Sequence, residues 1–220
     1  PIGNRNDLSP RALSTLKGVS TIAAEDPATL RKILGLRTLT TTITSYPSEH
    51  LENKAEVLLF QLKQGHDVAL VVDAGTPGIA DPGSRLIHRC FEAGIRVSPI
   101  PGPCAITAIL SISGLQGDPF TFLGQMPSSS HQRKGFHSTI IHATTTMVFF
   151  ISGKQVNPLL QQLLPDLADR LVVIAVDVSK PTERLYRGRA NHLPVQALPN
   201  ITDRSEVTVA IQGVRLIKKR

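Results

Sequence analysis

Residue types suited to binding a ligand are concentrated in residues 73–83, which read Asp-Ala-Gly-Thr-Pro-Gly-Ile-Ala-Asp-Pro-Gly. This loop directly follows an apolar run at residues 68–72, a pattern typical of a strand covered on both faces. Open α/β sheets bind ligands at the carboxyl ends of their strands, where glycine lets a ligand approach the backbone. Asp73 and Thr76 add polar groups to the loop. The sequence therefore predicts a ligand-binding loop, with a turn-rich connection that holds no ligand as the alternative.

Two further loops rich in glycine and proline extend this prediction. Residues 99–105 read Pro-Ile-Pro-Gly-Pro-Cys-Ala, between a predicted strand and a predicted helix, and residues 1–4 read Pro-Ile-Gly-Asn. We expect the loops at 73–83 and 99–105, each predicted at the end of a strand, to line one crevice. No GxGxxG and no GxxxxGK[ST] pattern occurs, which excludes the usual dinucleotide fingerprint and the P-loop. His131, His137 and His142 lack carboxylate or cysteine partners at metal-ligand spacing, so no metal site is predicted.

The elements that must position these loops alternate between strand and helix in the first half of the chain. Apolar spacing, caps and breakers predict helices at 9–16, 28–34, 51–63, 85–93 and 105–112, and strands at 21–24, 40–45, 68–72 and 95–100. Such alternation is typical of a mostly parallel sheet with covering helices. The predicted N-terminal α/β domain spans residues 1–115, followed by a Gly/Pro-rich linker at 116–127.

The second half of the chain has a different pattern. Strands are predicted at 145–151, 171–178, 184–187 and 207–211, with a helix near 156–164. Residues 128–220 are therefore predicted to form an α+β domain with its own mixed sheet. The predicted fold class is α/β with two domains.

Charge favours a polyanionic partner. The chain has 24 Lys and Arg against 17 Asp and Glu, a net charge of +7. From Asp177 onward, nine residues are basic and four are acidic. Nucleic acid is the favoured partner, and a solvated surface is the alternative. Because only 4% of the residues are aromatic and Trp is absent, a base-stacking platform is not expected.

Other features bear on the location of the protein. No apolar stretch reaches the roughly 18 residues of a membrane span, and no secretion signal is recognised at the start. Two cysteines, Cys90 and Cys104, do not make a disulfide framework, which fits a reducing compartment. We therefore expect a cytoplasmic protein with no membrane partner. Because the chain opens on Pro1, a preceding segment with the first strand of the sheet is also expected.

Together, the three Gly/Pro loops resemble those of the tetrapyrrole methylase superfamily, and within it the ribosomal RNA small subunit methyltransferase I (RsmI) family. The matching segments are Pro-Ile-Gly-Asn at 1–4, Ala-Glu-Asp at 24–26, Asp-Ala-Gly-Thr-Pro at 73–77, Asp-Pro-Gly at 81–83 and Pro-Ile-Pro-Gly-Pro-Cys-Ala at 99–105. The family has Ser where this chain has Cys104. The resemblance covers nearly the whole chain.

The resemblance implies a homodimer of two-domain subunits that hold S-adenosylmethionine between the domains and form 2′-O-methylcytidine in 16S rRNA. The implied cofactor-binding residues are Gly3, Asp73, Ala74, Gly75, Thr76, Ile79, Pro103, Cys104, Ala105, Phe150, Ile151 and Ala175. Catalytic residues are predicted within the matched segments as Glu25, Asp26, Lys180 and Glu183, with Asp73 and Asp177 as further candidates. A strand-end turn or a helix cap is the alternative for Glu25 and Asp26, and a surface ion pair is the alternative for Lys180 with Glu183.

Several family motifs differ in this chain. Ser-Tyr-His becomes Ser-Tyr-Pro at 45–47, and Glu-x-Pro-His-Arg becomes Ile-Ser-Gly-Lys-Gln at 151–155. Glu-Asp-Thr-Arg becomes Glu-Asp-Pro-Ala at 25–28. Because these replacements fall on polar residues, we expect turnover at the usual rRNA site to be weak or redirected to another RNA. The alternatives are a small-molecule methylase and a catalytically silent paralogue that binds RNA or cofactor.

Overall fold

The protein is described by a computed structural model that covers residues 1–35, 40–47, 51–193, 198 and 201–214, with only the backbone of Leu51 and Glu52. The chain divides into two compact units, Pro1–Cys104 and Ala105–Arg220. The boundary between these units follows Cys104, whereas the predicted N-terminal domain runs to residue 115. The helix after Cys104 packs on strands of the second unit and so belongs to it.

The first unit contains a parallel three-stranded sheet covered by helices, as predicted. Its strands are β1 (Thr21–Ala24), β2 (Thr42–Ser45) and β3 (Val68–Val71), in the order β2-β1-β3. Its helices are α1 (Pro10–Gly18), α2 (Pro27–Leu34), α3 (Leu51–Lys63) and α4 (Ser84–Glu92), and a short 3-10 helix spans Arg5–Asp7. Ile22 and Ala24 of β1 pack in one cluster with α1 and α2, whereas Ala23 packs with α3 and α4. The central strand is therefore buried on both faces, as its apolar sequence predicts.

The second unit contains a mixed five-stranded sheet. Its strands are β4 (Phe120–Gln125), β5 (Thr146–Ser152), β6 (Leu171–Val176), β7 (Arg184–Arg189) and β8 (Glu206–Ile211), in the order β4-β5-β8-β6-β7. Its helices are α5 (Ala105–Ser113), α6 (Ser130–His142) and α7 (Gly153–Leu163), with 3-10 helices at Leu164–Leu167 and Ala190–His192. Strands β4 and β5 are parallel, and the other neighbouring pairs are antiparallel. Half of the predicted linker at 116–127 is in fact β4, because its Phe-Thr-Phe run pairs with β5.

The predicted strand at residues 95–100 is wrong. These residues have no regular secondary structure, and Val97 and Ile100 are 37% and 40% exposed. Pro99 and Pro101 have no backbone N–H to donate to a neighbouring strand, which disfavours sheet pairing there. The apolar residues of this segment are therefore not sufficient to make it a strand.

A buried arginine joins three elements of the second unit. The Arg170 guanidinium donates to the carbonyl oxygens of Ile140 and Ile141 at the end of α6, at 2.9 and 3.3 Å. It also donates to the carbonyl oxygen of Gln212, just after β8. Burial lowers the pKa of Arg170. These contacts satisfy carbonyl groups that a helix end leaves without intrahelical partners.

Candidate functional site

The three Gly/Pro loops of the first unit line one pocket. Its volume is about 130 Å³, and its wall includes Pro1, Gly75 and residues 101–103, together with the end of β3. The Gly75 N–H donates to the Pro1 carbonyl oxygen at 3.1 Å, which joins the loop at 73–83 to the loop at 1–4. Among the described residues, Gly75 and Pro103 are the predicted cofactor contacts that line this pocket. The three loops therefore converge, although the loop at 99–105 does not follow a strand.

Backbone conformation explains two glycines of the loop at 73–83. Gly75 has a φ of 81° and Gly83 a φ of 140°, values that favour glycine over residues with a side chain. A Cβ at Gly83 would lie 2.8 Å from Leu70 Cδ2, so this glycine also permits close packing on β3. Among the described residues, apart from its chain neighbours, a Cβ at Gly75 would have only Ile2 within 4 Å, at 3.8 Å. The Gly75 backbone therefore faces open space at the pocket.

Carboxylates lie at the carboxyl ends of β1 and β3. The Asp73 N–H donates to Glu25 Oε2 at 3.2 Å, and the Asp26 N–H donates to Asp73 Oδ1 at 3.3 Å. Burial raises the pKa of Asp81 to about 6, and the neighbouring Glu25 and Asp73 add to the effect. Asp81 was not among the predicted site residues, although it lies in the same loop as Asp73. Its position beside Glu25 depends on the adjacency of β1 and β3, which local sequence does not specify.

Asp26 has the structural role that sequence analysis gave as its alternative. Its carboxylate accepts from the Ala28 N–H at 2.8 Å and from the Thr29 hydroxyl at 2.9 Å. These hydrogen bonds, led by that of Ala28, lower the pKa of Asp26. The side chain is the N-cap of α2, so its acceptor groups are already engaged.

The shifted pKa of Asp81 makes the stability of the protein depend on pH. Between about pH 4 and pH 6 the unfolded chain loses this proton and the folded chain retains it, so the Asp81 contribution to stability falls as pH rises. Replacing Asp81 by Asn removes that dependence. When the pH rises from 4.5 to 7.5, we expect the free energy of unfolding of Asp81→Asn to increase by about 1 kcal/mol relative to that of wild type. This value is reduced to allow for the partial solvation of Asp81.

Urea unfolding at both pH values measures this change, with Asp67→Asn as a control at an exposed position of the same unit. Parallel stability profiles of wild type and Asp81→Asn would contradict the prediction.

The candidate residues of the second unit belong to the loop between β6 and β7. Lys180 Nζ lies 3.2 Å from Asp177 Oδ1 and 2.9 Å from Glu206 Oε2. Burial lowers the pKa of Lys180, but hydrogen bonds and charge from Glu206 and Asp177 outweigh it, and the net shift is upward. Glu183 Oε2 accepts from the Ser179 N–H in the same loop. Since Lys180 is held protonated between two carboxylates, it is not suited to accepting a proton at neutral pH.

The structure separates the predicted cofactor contacts of the second unit. Phe150 on β5 and Ala175 on β6 both pair with Thr208 of the intervening β8, so their side chains share one face of the sheet. Ile151 points to the opposite face and is buried in the core with α7. Of these three residues, only Phe150 and Ala175 therefore have side chains on the same face of the sheet.

Two of the basic residues after Asp177 that are predicted to bind phosphate are already engaged within the protein. Arg187 Nε donates to the Ser113 carbonyl oxygen at 2.8 Å. Arg189 Nη1 lies 2.9 Å from Asp169 Oδ2. Residues 218–220 lie outside the described residues. Their role in binding stays a prediction.

Comparison with known proteins identifies the class of this chain. Residues 1–194 match the family model described as Tetrapyrrole (Corrin/Porphyrin) Methylases. The structure resembles the methyltransferase CobJ, with a TM-score of 0.67 and 20% identity over 97% of this chain and 92% of that chain. It also resembles uroporphyrin-III-C-methyltransferase from Thermus thermophilus, with a TM-score of 0.63 and 18% identity over 96% and 90% of the two chains. The predicted two-unit α/β fold is confirmed.

Curated relatives narrow the class further, and all three described here are named Ribosomal RNA small subunit methyltransferase I. The Vibrio cholerae protein is 39% identical over 84% of this chain and 65% of its own length. The Haemophilus influenzae protein is 35% identical over 97% of this chain and 76% of its own length. The Thermotoga maritima protein is 32% identical over 97% of this chain and 95% of its own length. The chain belongs to the ribosomal RNA small subunit methyltransferase I family of the tetrapyrrole methylases. The predicted family is confirmed, and the chain spans about two thirds of the length of the Vibrio relative.

Two motifs that differ from the family have structural roles in this chain. Gln155 Oε1 accepts from the Ser152 N–H at 3.2 Å, and together the two residues form a capping box at the start of α7. Gly153 lies against the backbone of Thr202 so closely that a Cβ would be 1.9 Å from its carbonyl oxygen. Tyr46, next to the replaced Pro47, is fully buried between α3 and α4. These segments therefore retain an ordered structure without the polar groups of the family motif.

Proposed function

We propose that this chain is an S-adenosylmethionine-dependent methyltransferase that acts on RNA of the small ribosomal subunit. The observation that carries the proposal is the shared name of relatives that align with up to 97% of the chain. The convergence of the three Gly/Pro loops on one pocket supports it. Within this proposal, the product is a 2′-O-methylated cytidine, as the family resemblance implies.

The pocket of the first unit fits part of the cofactor. At about 130 Å³ it is suited to one portion of S-adenosylmethionine, and its wall combines the exposed backbone at Gly75 with apolar side chains. Bound S-adenosylmethionine supplies an electrophilic methyl group on a positively charged sulfur. Glu25, Asp73 and Asp81 place negative charge at the adjacent strand ends, which favours a cationic ligand. Phe150, Ile151 and Ala175 stay predicted contacts of the second unit.

Transfer to a ribose requires that the 2′-oxygen forms a bond to the methyl carbon and gives its proton to an acceptor. Asp81 lies in the loop that contributes Gly75 and Pro77 to the pocket, and its pKa is raised to about 6, so it is better suited than Asp26 to accept that proton. Asp26 is engaged as a helix cap, and Lys180 is held protonated. Among the predicted catalytic residues, Glu25 and Glu183 stay as further candidates for aligning the hydroxyl.

The surroundings of the protein follow from the same proposal. We infer a cytoplasmic homodimer, since the family resemblance implies a dimer and rRNA is the proposed substrate. Within the part of the chain that the structure describes, no helix is long and apolar enough to cross a membrane. Light scattering of the purified protein measures the subunit number.

A methylation assay tests the proposed function. The full chain, labelled S-adenosylmethionine and small subunits purified from cells that lack this methyltransferase are expected to give label in the RNA. Nuclease digestion and mass spectrometry then locate the methyl group. We expect turnover weaker than that of the Haemophilus relative, because the family's polar motifs at 45–47 and 151–155 are replaced. Absence of label in RNA, with cofactor binding intact, would contradict the proposed substrate.

A further inference from the structure

One part of the second unit is free of acidic residues. No Asp or Glu occurs between residues 119 and 165, whereas Arg133, Lys134, Lys154 and three histidines do. This segment supplies β4, α6, β5 and α7. A stretch of this length without a carboxylate is unusual in a chain that has 17 acidic residues in 220. The positive charge is therefore not balanced locally.

The topology brings the two helices of this segment together. Strands β4 and β5 are parallel and α6 connects them, so α6 begins at the carboxyl end of β4. Helix α7 begins at the carboxyl end of β5, which lies at the same end of the sheet. Both helices pack on one face, where the Phe136 ring of α6 contacts Phe149 and α7 contributes Val156 and Leu160. Both helices thus begin at the same end of the sheet and pack on the same face of it.

The exposed surface of these helices carries cations without carboxylate partners. Lys134 and Lys154 are exposed, and within the described residues neither forms an ion pair. In contrast, Lys180 and Arg189 are paired with carboxylates. Asp166, just beyond the acid-free segment, lies 3.1 Å from His137 Nε2. The remaining exposed side chains of α6 are neutral hydrogen-bonding groups or histidine.

We propose that the exposed face of α6 and α7 binds the phosphate backbone of the RNA substrate, with Lys134 and Lys154 as the principal contacts. This inference rests on the proposed function and identifies the surface that receives its substrate. Unpaired cations release bound counterions from RNA when they contact phosphates, which makes binding favourable and dependent on salt. Neutral groups such as Ser130 and Gln132 add hydrogen bonds without repelling the anion. RNA is favoured over an acidic protein surface because the relatives are named as rRNA methyltransferases.

Charge reversal tests the surface. The double variant Lys134→Glu/Lys154→Glu is compared with Lys17→Glu/Lys63→Glu, which makes the same change in net charge at exposed positions of α1 and α3. Fluorescence anisotropy with a fluorescein-labelled, single-stranded RNA of mixed sequence gives the dissociation constant over a range of salt concentrations. We expect the α6–α7 variant to bind at least about tenfold more weakly at low salt. The slope of log affinity against log salt should fall by about 1.4, or about 0.7 for each lost phosphate contact.

Equal affinity and equal salt slope in the two double variants would overturn the proposed surface. Methylation of small subunits by the wild type, measured in the same preparation, separates this failure from that of the proposed function. If the wild type methylates RNA and the two variants behave alike, only the surface assignment is wrong. If the wild type neither binds nor methylates RNA, the proposed function is wrong and the surface assignment with it. Calorimetric binding of S-adenosylmethionine to both variants confirms that they are folded.

Discussion

Replacing Gly75 by Val is expected to weaken S-adenosylmethionine binding by at least about a hundredfold, equivalent to about 2.7 kcal/mol. Gly75 lines the pocket formed by the three Gly/Pro loops, and its backbone N–H is bonded to Pro1. A side chain at this position enters open space and occupies volume that the ligand requires. Isothermal titration calorimetry measures the loss directly.

The control for this variant is Gly65→Val. Gly65 has a φ of 83°, close to the 81° of Gly75, and a Cβ there meets nothing within 4 Å. Valine at either position therefore has similar backbone strain, about 1–2 kcal/mol. Only Gly75 lies at the pocket. If both variants are folded and Gly75→Val binds the cofactor as tightly as Gly65→Val does, the pocket is not the cofactor site.

Local sequence was sufficient to predict most elements of the fold. The helix predicted at 9–16 corresponds to α1, and the Ser9 hydroxyl accepts from the Ala12 N–H at 3.1 Å as its N-cap. The apolar run at 68–72 predicted β3 because a buried parallel strand has no polar alternation. These signals are local, since a cap or an apolar run acts over a few residues.

Features that depend on distant neighbours were not predicted. The raised pKa of Asp81 requires Glu25, which lies on another strand, and no spacing rule connects the two residues. The apolar residues of the segment at 95–100 predict a strand, but the segment has no strand partner among the described residues. Asp26 illustrates a different difficulty, because one carboxylate at a strand end suits both catalysis and capping. Only the distances to Ala28 and Thr29 show that it caps α2.

The replaced family motif at 151–155 provides the second prediction with a large effect. Gly153 begins α7, and its N–H donates to the Ser205 carbonyl oxygen at 2.9 Å. A Cβ at this position would lie 1.9 Å from the Thr202 carbonyl oxygen, a distance that no real contact allows. Because the obstacle is backbone, the segment before β8 must move to accept Gly153→Ala. We expect the free energy of unfolding to fall by about 3 kcal/mol.

Gly135→Ala is the matched control, since Gly135 also lies in a helix of the second unit but is exposed and meets nothing within 4 Å. Alanine there removes only the entropic disadvantage of glycine and should stabilise the protein by about 0.5–1 kcal/mol. Chemical unfolding of both variants therefore gives shifts of opposite sign for the same substitution. Equal shifts would mean that the backbone of Thr202 does not approach Gly153 in solution. In that case glycine at 153 would not be required for packing, and its replacement of the family's residue would need another explanation.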